Sequence, residues 1–251
     1  MGKKARRHQR RHPEVELLLN NQATQEGPKR KKWSTHDLKS IRPLNPTQDE
    51  MFQAWFQGNN ICAHGSAGTG KTFLALYLAF LEVLDKRQQT KIILVRSAVP
   101  TREIGHLPGT LEEKTALYEL PYHDICWELV GRKSTYQDMK DAGVIEFMTT
   151  SFIRGLTWDN AVVIVDEGEN MTFHEIDSIM TRLGENSRVI FTGDLVQTDL
   201  DGRRNGVCGM KQFLNVVDNM DEFASIHFSV KDIVRSGFVK SWITASQQVA
   251  A

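Results

Sequence analysis

The chain has little of what would tie it to a crosslinked scaffold or to a membrane. Its 251 residues include three cysteines, Cys62, Cys126 and Cys208, odd in number and far apart. No C-x-x-C pair is present, so neither a zinc site nor a disulfide framework is indicated, and reduced thiols in the cytoplasm are the economical reading. No apolar run is long enough to cross a bilayer, because the longest, after Lys71, is short and carries Glu82. The densely basic beginning is followed by no long apolar segment, so no secretory signal is read there. There is no internal repeat. Net charge is missing too, with 31 Lys and Arg against 31 Asp and Glu. What remains is an apolar fraction of 40%, enough for a sizeable core, in a length that suits one domain with a tail or two small domains.

The zero net charge conceals a division. Residues 1–42 hold 12 Lys/Arg against 4 Asp/Glu, or +8, and the remainder holds 19 against 27, or −8. A basic arm, "KKARRHQRRH" and "PKRKKW" around a short apolar stretch, therefore precedes an acidic body. Such an arm either attracts nucleic-acid phosphate or only solubilises the protein, and composition leaves both open. The expected organisation is a disordered arm over 1–42 and a folded domain over 43–251.

The sharpest local signal is "NICAHGSAGTGKTFLALYLAFLEVL". Gly65, four residues, Gly70, Lys71 and Thr72 fit the phosphate-loop pattern G-x-x-x-x-G-K-[ST] without mismatch. The apolar Ile61–Ala63 before it reads as a buried strand, and the broadly apolar run after it reads as a helix. In that setting a Gly-rich loop turns successive backbone N–H groups around an anion, and the helix N-terminus adds a favourable dipole. The segment Gly65, Ser66, Ala67, Gly68, Thr69, Gly70, Lys71 and Thr72 is thus the candidate nucleotide-binding loop. Lys71 is expected at the β- and γ-phosphates and Thr72 on Mg²⁺. A chance Gly/Ser/Thr loop is the bland alternative, and the strand–loop–helix order argues against it.

Further along, "KIILVRS", "VIEFMTT", "AVVIVDE", "RVIFTGD" and "FASIHFSV" read as strands. Continuous apolar runs ended by acids suit parallel strands buried on both faces, with ligand groups at their carboxyl ends. Alternation with helical stretches predicts a three-layer α/β/α fold around a mainly parallel sheet. Thr47 is expected to cap the helix of "PTQDEMFQAWF" with Glu50 as its partner, and Pro121 to break or bend "TLEEKTALYELPYHDICWELV". A closing helix is expected from Asp232.

The acids give the loop a chemistry. Asp166 ends its strand where it can hold Mg²⁺ through water, and Glu167 beside it can polarise a water for attack on a γ-phosphate. In "VIFTGDLVQTD", Gln197 follows Asp194 by three residues, and a neutral amide can touch both γ-phosphate and lytic water. No [NT]-K-x-D motif selects guanine, and no arginine-rich lid marks a nucleotide kinase. His64, His106 and His123 lack ligand-spaced partners, and most of the tryptophans read as core. Trp33, set among basic residues, is the one that could stack on a base, and Arg154 is left open between nucleic acid and loop structure.

The set "GSAGTGKT", "VRSAVP…GHLPGTLEEK", "FIRGLTWDNAVVIVDEGEN", "TRLGENSRVIFTGDLVQTD" and "DIVRSGFV" resembles the PhoH family of ATPases, itself similar to the first RecA-like domain of superfamily 1 helicases. The resemblance covers about residues 43–245. It implies a RecA-like P-loop NTPase core that binds ATP and Mg²⁺, and a partner that is RNA or single-stranded DNA. It also implies roles for Gln48 at the adenine edge, for the Gly193, Asp194 and Gln197 sensor, and for Arg235 near the γ-phosphate. Lys71, Glu167, Gln197 and Arg235 are then the expected catalytic set, and Thr72 and Asp166 the metal side. Two departures stand out: Ser97 where the family usually has proline, and "DEGEN" where it tends to read D-E-A-Q-N. A nucleotide-switched binding protein with negligible turnover is the alternative function. A toxin-like ribonuclease finds no carboxylate cluster in residues 1–42. One RecA-like core leaves one face of a bound nucleotide uncovered, which predicts a homo-oligomeric ring, a hexamer by preference. Arg235 then acts in its own subunit or reaches a neighbour's site, and the first is preferred.

Overall fold

The computed structural model describes residues 33–85, 89–97, 111–194 and 208–250. Six strands form one all-parallel sheet: β1 (Asn60–Gly65), β2 (Lys91–Arg96), β3 (Ile145–Thr149), β4 (Ala161–Asp166), β5 (Arg188–Gly193) and β6 (Phe223–Phe228). Their order is β3-β2-β4-β5-β1-β6. β5 therefore separates the strand that enters the phosphate loop from the strand that ends in the acid pair. The register runs Ile61–His64 of β1 against Ile190–Gly193 of β5, and Val162–Val165 of β4 against Arg188–Phe191. All of β4 is buried, as strands covered on both faces must be.

Seven α-helices accompany the sheet among the described residues: α1 (Pro46–Phe56), α2 (Lys71–Leu84), α3 (Leu111–Val130), α4 (Thr135–Asp141), α5 (Phe173–Met180), α6 (Met210–Val217) and α7 (Gly237–Ala250). Two apolar clusters lie on opposite faces of the sheet. One joins the even-numbered residues Ile92, Leu94, Val162 and Ile164 to α1–α4. The other joins Ile93, Val95, Val163 and Val165 to α5 and α6. Strict alternation along each strand splits its side chains between the two layers, which gives the three-layer α/β/α arrangement.

Four expectations need correction. Trp33–Ala251 form one compact unit, in which Leu38 and Ile41 pack against the core. Trp33 is only 5% exposed and lies under the Arg132 guanidinium, 5.3 Å from its ring centre; a core tryptophan so covered is not a stacking platform. The rest of the expected arm, residues 1–32, lies outside the described residues. The cap of α1 is Asn45, whose side chain accepts from the Gln48 N–H at 2.9 Å, with Pro46 at the first helical position. The Thr47 hydroxyl instead donates to Asp232 at 2.9 Å. Pro121 lies inside an unbroken α3. The helix is therefore not broken there, although the proline removes the N–H that would serve the Leu117 carbonyl. Finally, Val230–Asp232 form a 3₁₀ turn and the closing helix starts at Gly237; Asp232 accepts from the Ser229 N–H at 2.8 Å and so caps the turn rather than opening the helix.

Candidate active site

The phosphate loop takes its shape from three left-handed glycines: Gly65 (φ 112°), Gly68 (φ 74°) and Gly70 (φ 88°). At Gly65 the requirement is also spatial, because a Cβ there would stand 2.1 Å from the Phe228 carbonyl oxygen of β6. The Lys71 ammonium donates to the carbonyls of Gly65 (2.7 Å) and Ser66 (2.9 Å), and Thr69 Oγ donates to Ser66 O at 3.0 Å. Two of the three lysine hydrogens thus brace the loop among the described residues. Burial pulls the Lys71 pKa down, while the carboxylates of Asp194, Glu169 and Asp166 oppose that shift.

Asp166 reaches this loop from β4. Its Oδ1 accepts from Thr72 Oγ1 at 2.8 Å and from Thr192 Oγ1 at 2.5 Å, and its Oδ2 accepts from the Tyr122 hydroxyl at 2.9 Å. Hydroxyl and carboxylate oxygens side by side suit a hard divalent cation such as Mg²⁺, and the glycine-shaped loop suits a polyphosphate. The residues present therefore fit both groups.

Glu167 departs from the strand with a left-handed backbone (φ 53°, ψ 48°), uncommon for a residue with a side chain. It forms an ion pair with Arg96, the last residue of β2. Burial and the neighbouring Asp166 charge push the Glu167 carboxyl up from its ordinary value, against the pull of Arg96. Glu169 is buried too, and desolvation raises its pKa to about 7. Its Oε2 accepts from the Asp194 N–H at 3.0 Å, tying the acid segment to the end of β5. The glycine of "DEGEN" has its own cause: a Cβ at Gly168 would lie 2.0 Å from the Phe191 ring.

Gln48 is 2% exposed, and its amide bridges two segments. Its Oε1 accepts from the Leu44 N–H at 2.8 Å, and its Nε2 donates to Thr69 O at 3.0 Å. It thus clamps α1 to the phosphate loop while lining the cleft. The Val234 N–H donates to Gly68 O at 3.1 Å, and a Cβ on Gly68 would stand 3.1 Å from Arg235 Cγ. Arg235 therefore borders the loop of its own chain. Gln197 lies outside the described residues. Apart from Gly65 and Ser66, the other predicted site residues line one cleft of about 980 Å³.

Several residues at this cleft escaped the sequence reading. Ser40, Ile41, Arg42 and Leu44 form its outer wall, and the first three fall inside the stretch expected to be arm. Tyr122 and the Arg96 contact carry no sequence signal. Thr192 does, since it directly precedes Gly193 in a strand already marked by "FTGD". His64 lies beside His227, with ring centres 5.1 Å apart, and no cluster able to hold a metal ion occurs among the described residues.

The family described as "PhoH-like protein" matches residues 40–247. The PhoH-like protein of Bacillus subtilis is 36% identical over 209 residues, covering 82% of this chain and 64% of the relative. That of Mycobacterium bovis is 34% identical over 208 residues, covering 82% and 58%. Protein PhoH of Escherichia coli K12 is 32% identical over 214 residues, covering 84% and 59%. The chain thus spans about three-fifths of the length of these relatives. Among solved structures, the Pif1 helicase from Candida albicans aligns with 75% of this chain and 41% of its own, at a TM-score of 0.36 and 12% identity. A match running from Ser40 to Gln247, with relatives more than 30% identical across most of the chain, makes this a member of the PhoH-like protein family.

Proposed function

We propose that this chain is a Mg²⁺-dependent ATPase that works with RNA or single-stranded DNA. The observation that carries the reading is the 2.8 Å bond between Thr72 and Asp166, with Glu167 as the next residue, in the cleft that the phosphate loop lines. The loop N–H groups and Lys71 would bind the triphosphate. Thr72 and Asp166 would hold Mg²⁺, which when bound neutralises developing phosphate charge. Glu167 would accept the proton of the attacking water. Gln197 would act as the sensor of γ-phosphate. Arg235 would serve the site of its own chain, a reading supported by the Val234–Gly68 bond. The apolar Ile41 and Leu44, with Gln48, would face the adenine end.

The nucleic-acid partner is supported by the basic residues 1–32 and by family membership. A ring of copies, most simply a hexamer, is supported by exposed apolar groups beside Arg235: Phe238 is 78% and Trp242 66% exposed. Exposed apolar groups of this kind suit a neighbouring copy. No helix among the described residues is long and apolar enough to cross a membrane, and a cytoplasmic location rests on the three free cysteines. The Arg96–Glu167 pair favours a second reading, a nucleotide-switched binding protein, because a carboxylate engaged by a cation is a weaker base.

Steady-state ATP hydrolysis with and without RNA and single-stranded DNA tests the proposal. Lys71→Ala should weaken binding and turnover together. Glu167→Gln should retain ATP while turnover falls roughly 10²-fold or more. Turnover at the wild-type rate in Glu167→Gln removes the base, and negligible wild-type turnover under every condition selects the switch reading.

A further inference from the structure

The Asp166 carboxylate is held in an unusual way for a buried anion. Its three hydrogen-bond donors among the described residues are neutral hydroxyls, each from a different element: Thr72 on α2, Thr192 on β5 and Tyr122 on α3. Among the described residues none of its bonds comes from a cation. Neutral donors fix the orientation of a carboxylate without cancelling its charge, so the full charge stays available to a metal ion. The labour is divided unevenly. Thr72 and Thr192 both serve Oδ1, whereas Tyr122 is the described donor to Oδ2.

Tyr122 is fully buried, with its ring 6.0 Å from that of Phe147. A phenylalanine would fill the same space without the cost of removing a hydroxyl from water. The hydroxyl is compensated by the bond to Oδ2. The same helix also touches the second acid's partner. One turn earlier, the Tyr118 ring lies 5.4 Å from the Arg96 guanidinium that pairs with Glu167. Residues four apart on a helix share a face, and here that face backs both acids.

We propose that Tyr122 is a positioning residue that holds Asp166 Oδ2 so that the carboxylate presents its charge to Mg²⁺ at the phosphate loop. The proposal rests on the reading of Asp166 as the metal-side carboxylate. Hydrogen-bond partners of metal-holding carboxylates commonly change metal affinity by about tenfold or more when removed.

The test is the affinity of the full chain for a fluorescent, non-hydrolysable ATP analogue, titrated with Mg²⁺. Tyr122→Phe should raise the Mg²⁺ concentration at half-maximal tightening by about tenfold, leave the affinity in EDTA unchanged, and keep a cooperative melt. Site-specific 3,5-difluorotyrosine at position 122 keeps ring and hydroxyl but acidifies the phenol. It draws charge from Asp166, so the midpoint should rise with it as well, and it serves if Tyr122→Phe does not fold. A Mg²⁺ midpoint that stays at the wild-type value overturns the role, including the case where melting temperature and EDTA affinity fall together, as a packing residue would give. Wild-type nucleotide binding insensitive to Mg²⁺ overturns the parent reading of Asp166 and this proposal with it. A Mg²⁺-sensitive wild type with an unmoved variant overturns only the role of Tyr122.

Discussion

The inner and outer halves of the cleft are built on different principles. At the inner end, Lys71, Thr72, Asp166, Thr192 and Gln48 are bonded to one another or to the loop backbone, and Asp166, Thr192 and Gln48 are buried. At the outer end, Leu44 is 74% and Val234 39% exposed. A polar group taken out of water must find a partner, so the inner half is cross-braced before any ligand arrives. Preorganised dipoles of that kind are where charge stabilisation is strongest. The outer half contributes apolar contact area and can adjust to what it meets.

The severest way to break this contrast is to disturb the inner brace. Gly65→Ala puts a methyl 2.1 Å from the Phe228 carbonyl at a φ of 112°. It should cost about 3 kcal/mol of stability and abolish tight nucleotide binding. Gly58 is the control: its φ is 98°, but a Cβ there meets nothing within 4 Å, so Gly58→Ala should cost only about 1 kcal/mol. Urea unfolding of both variants checks the pair, and equal losses would remove the close approach as the cause.

A smaller effect concerns Glu169. Its carboxyl ionises near 4.5 when unfolded and near 7 in the fold. The folded chain therefore holds an extra proton between those values, and stability declines as pH rises through that window. Glu169→Gln, which restores the amide that the resembling family tends to carry, should melt several degrees above wild type at pH 8. At pH 5 the two should nearly coincide. A wild type that is the more stable at pH 8 would mean that Lys71 and the Asp194 N–H favour the charged form after all.

The smallest effect belongs to the outer wall. Leu44→Ala should weaken ATP binding by about 1 kcal/mol or less, roughly fivefold, through lost apolar area. The maximal turnover rate should stay close to that of wild type. Equilibrium binding and steady-state kinetics on the same preparation separate the two. A loss of turnover as deep as that of Glu167→Gln would erase the division between the halves.

Much of this was legible because period and order are local properties. The apolar runs ending in Gly65, Arg96, Asp166 and Gly193 became parallel strands with those residues at their carboxyl ends. The cap is Asn45 and not the expected Thr47, because a capping-box pattern at Thr47 and Glu50 looks the same whether or not the helix has already started. Pro46 had settled the first helical position, and the Thr47 hydroxyl had a partner in Asp232, far away in sequence. At Pro121 the break did not occur, because one missing helical bond is not enough to end a helix whose other turns are made. Trp33 was misread because basic neighbours in sequence say nothing of what covers a ring in space.

The sequence by itself determined the parallel α/β sheet, the phosphate loop and the adjacent acids, since each depends on residues within one strand–turn–helix. The tertiary structure decided what holds those groups in place. Strand order brings Thr192 beside Asp166, α3 carries Tyr122 to its other oxygen, and β2 ends with Arg96 on Glu167. The physical reason is that hydrogen bonds and ion pairs act over about 3 Å, and partners that close come from segments whose separation along the chain bears no relation to their separation in the fold.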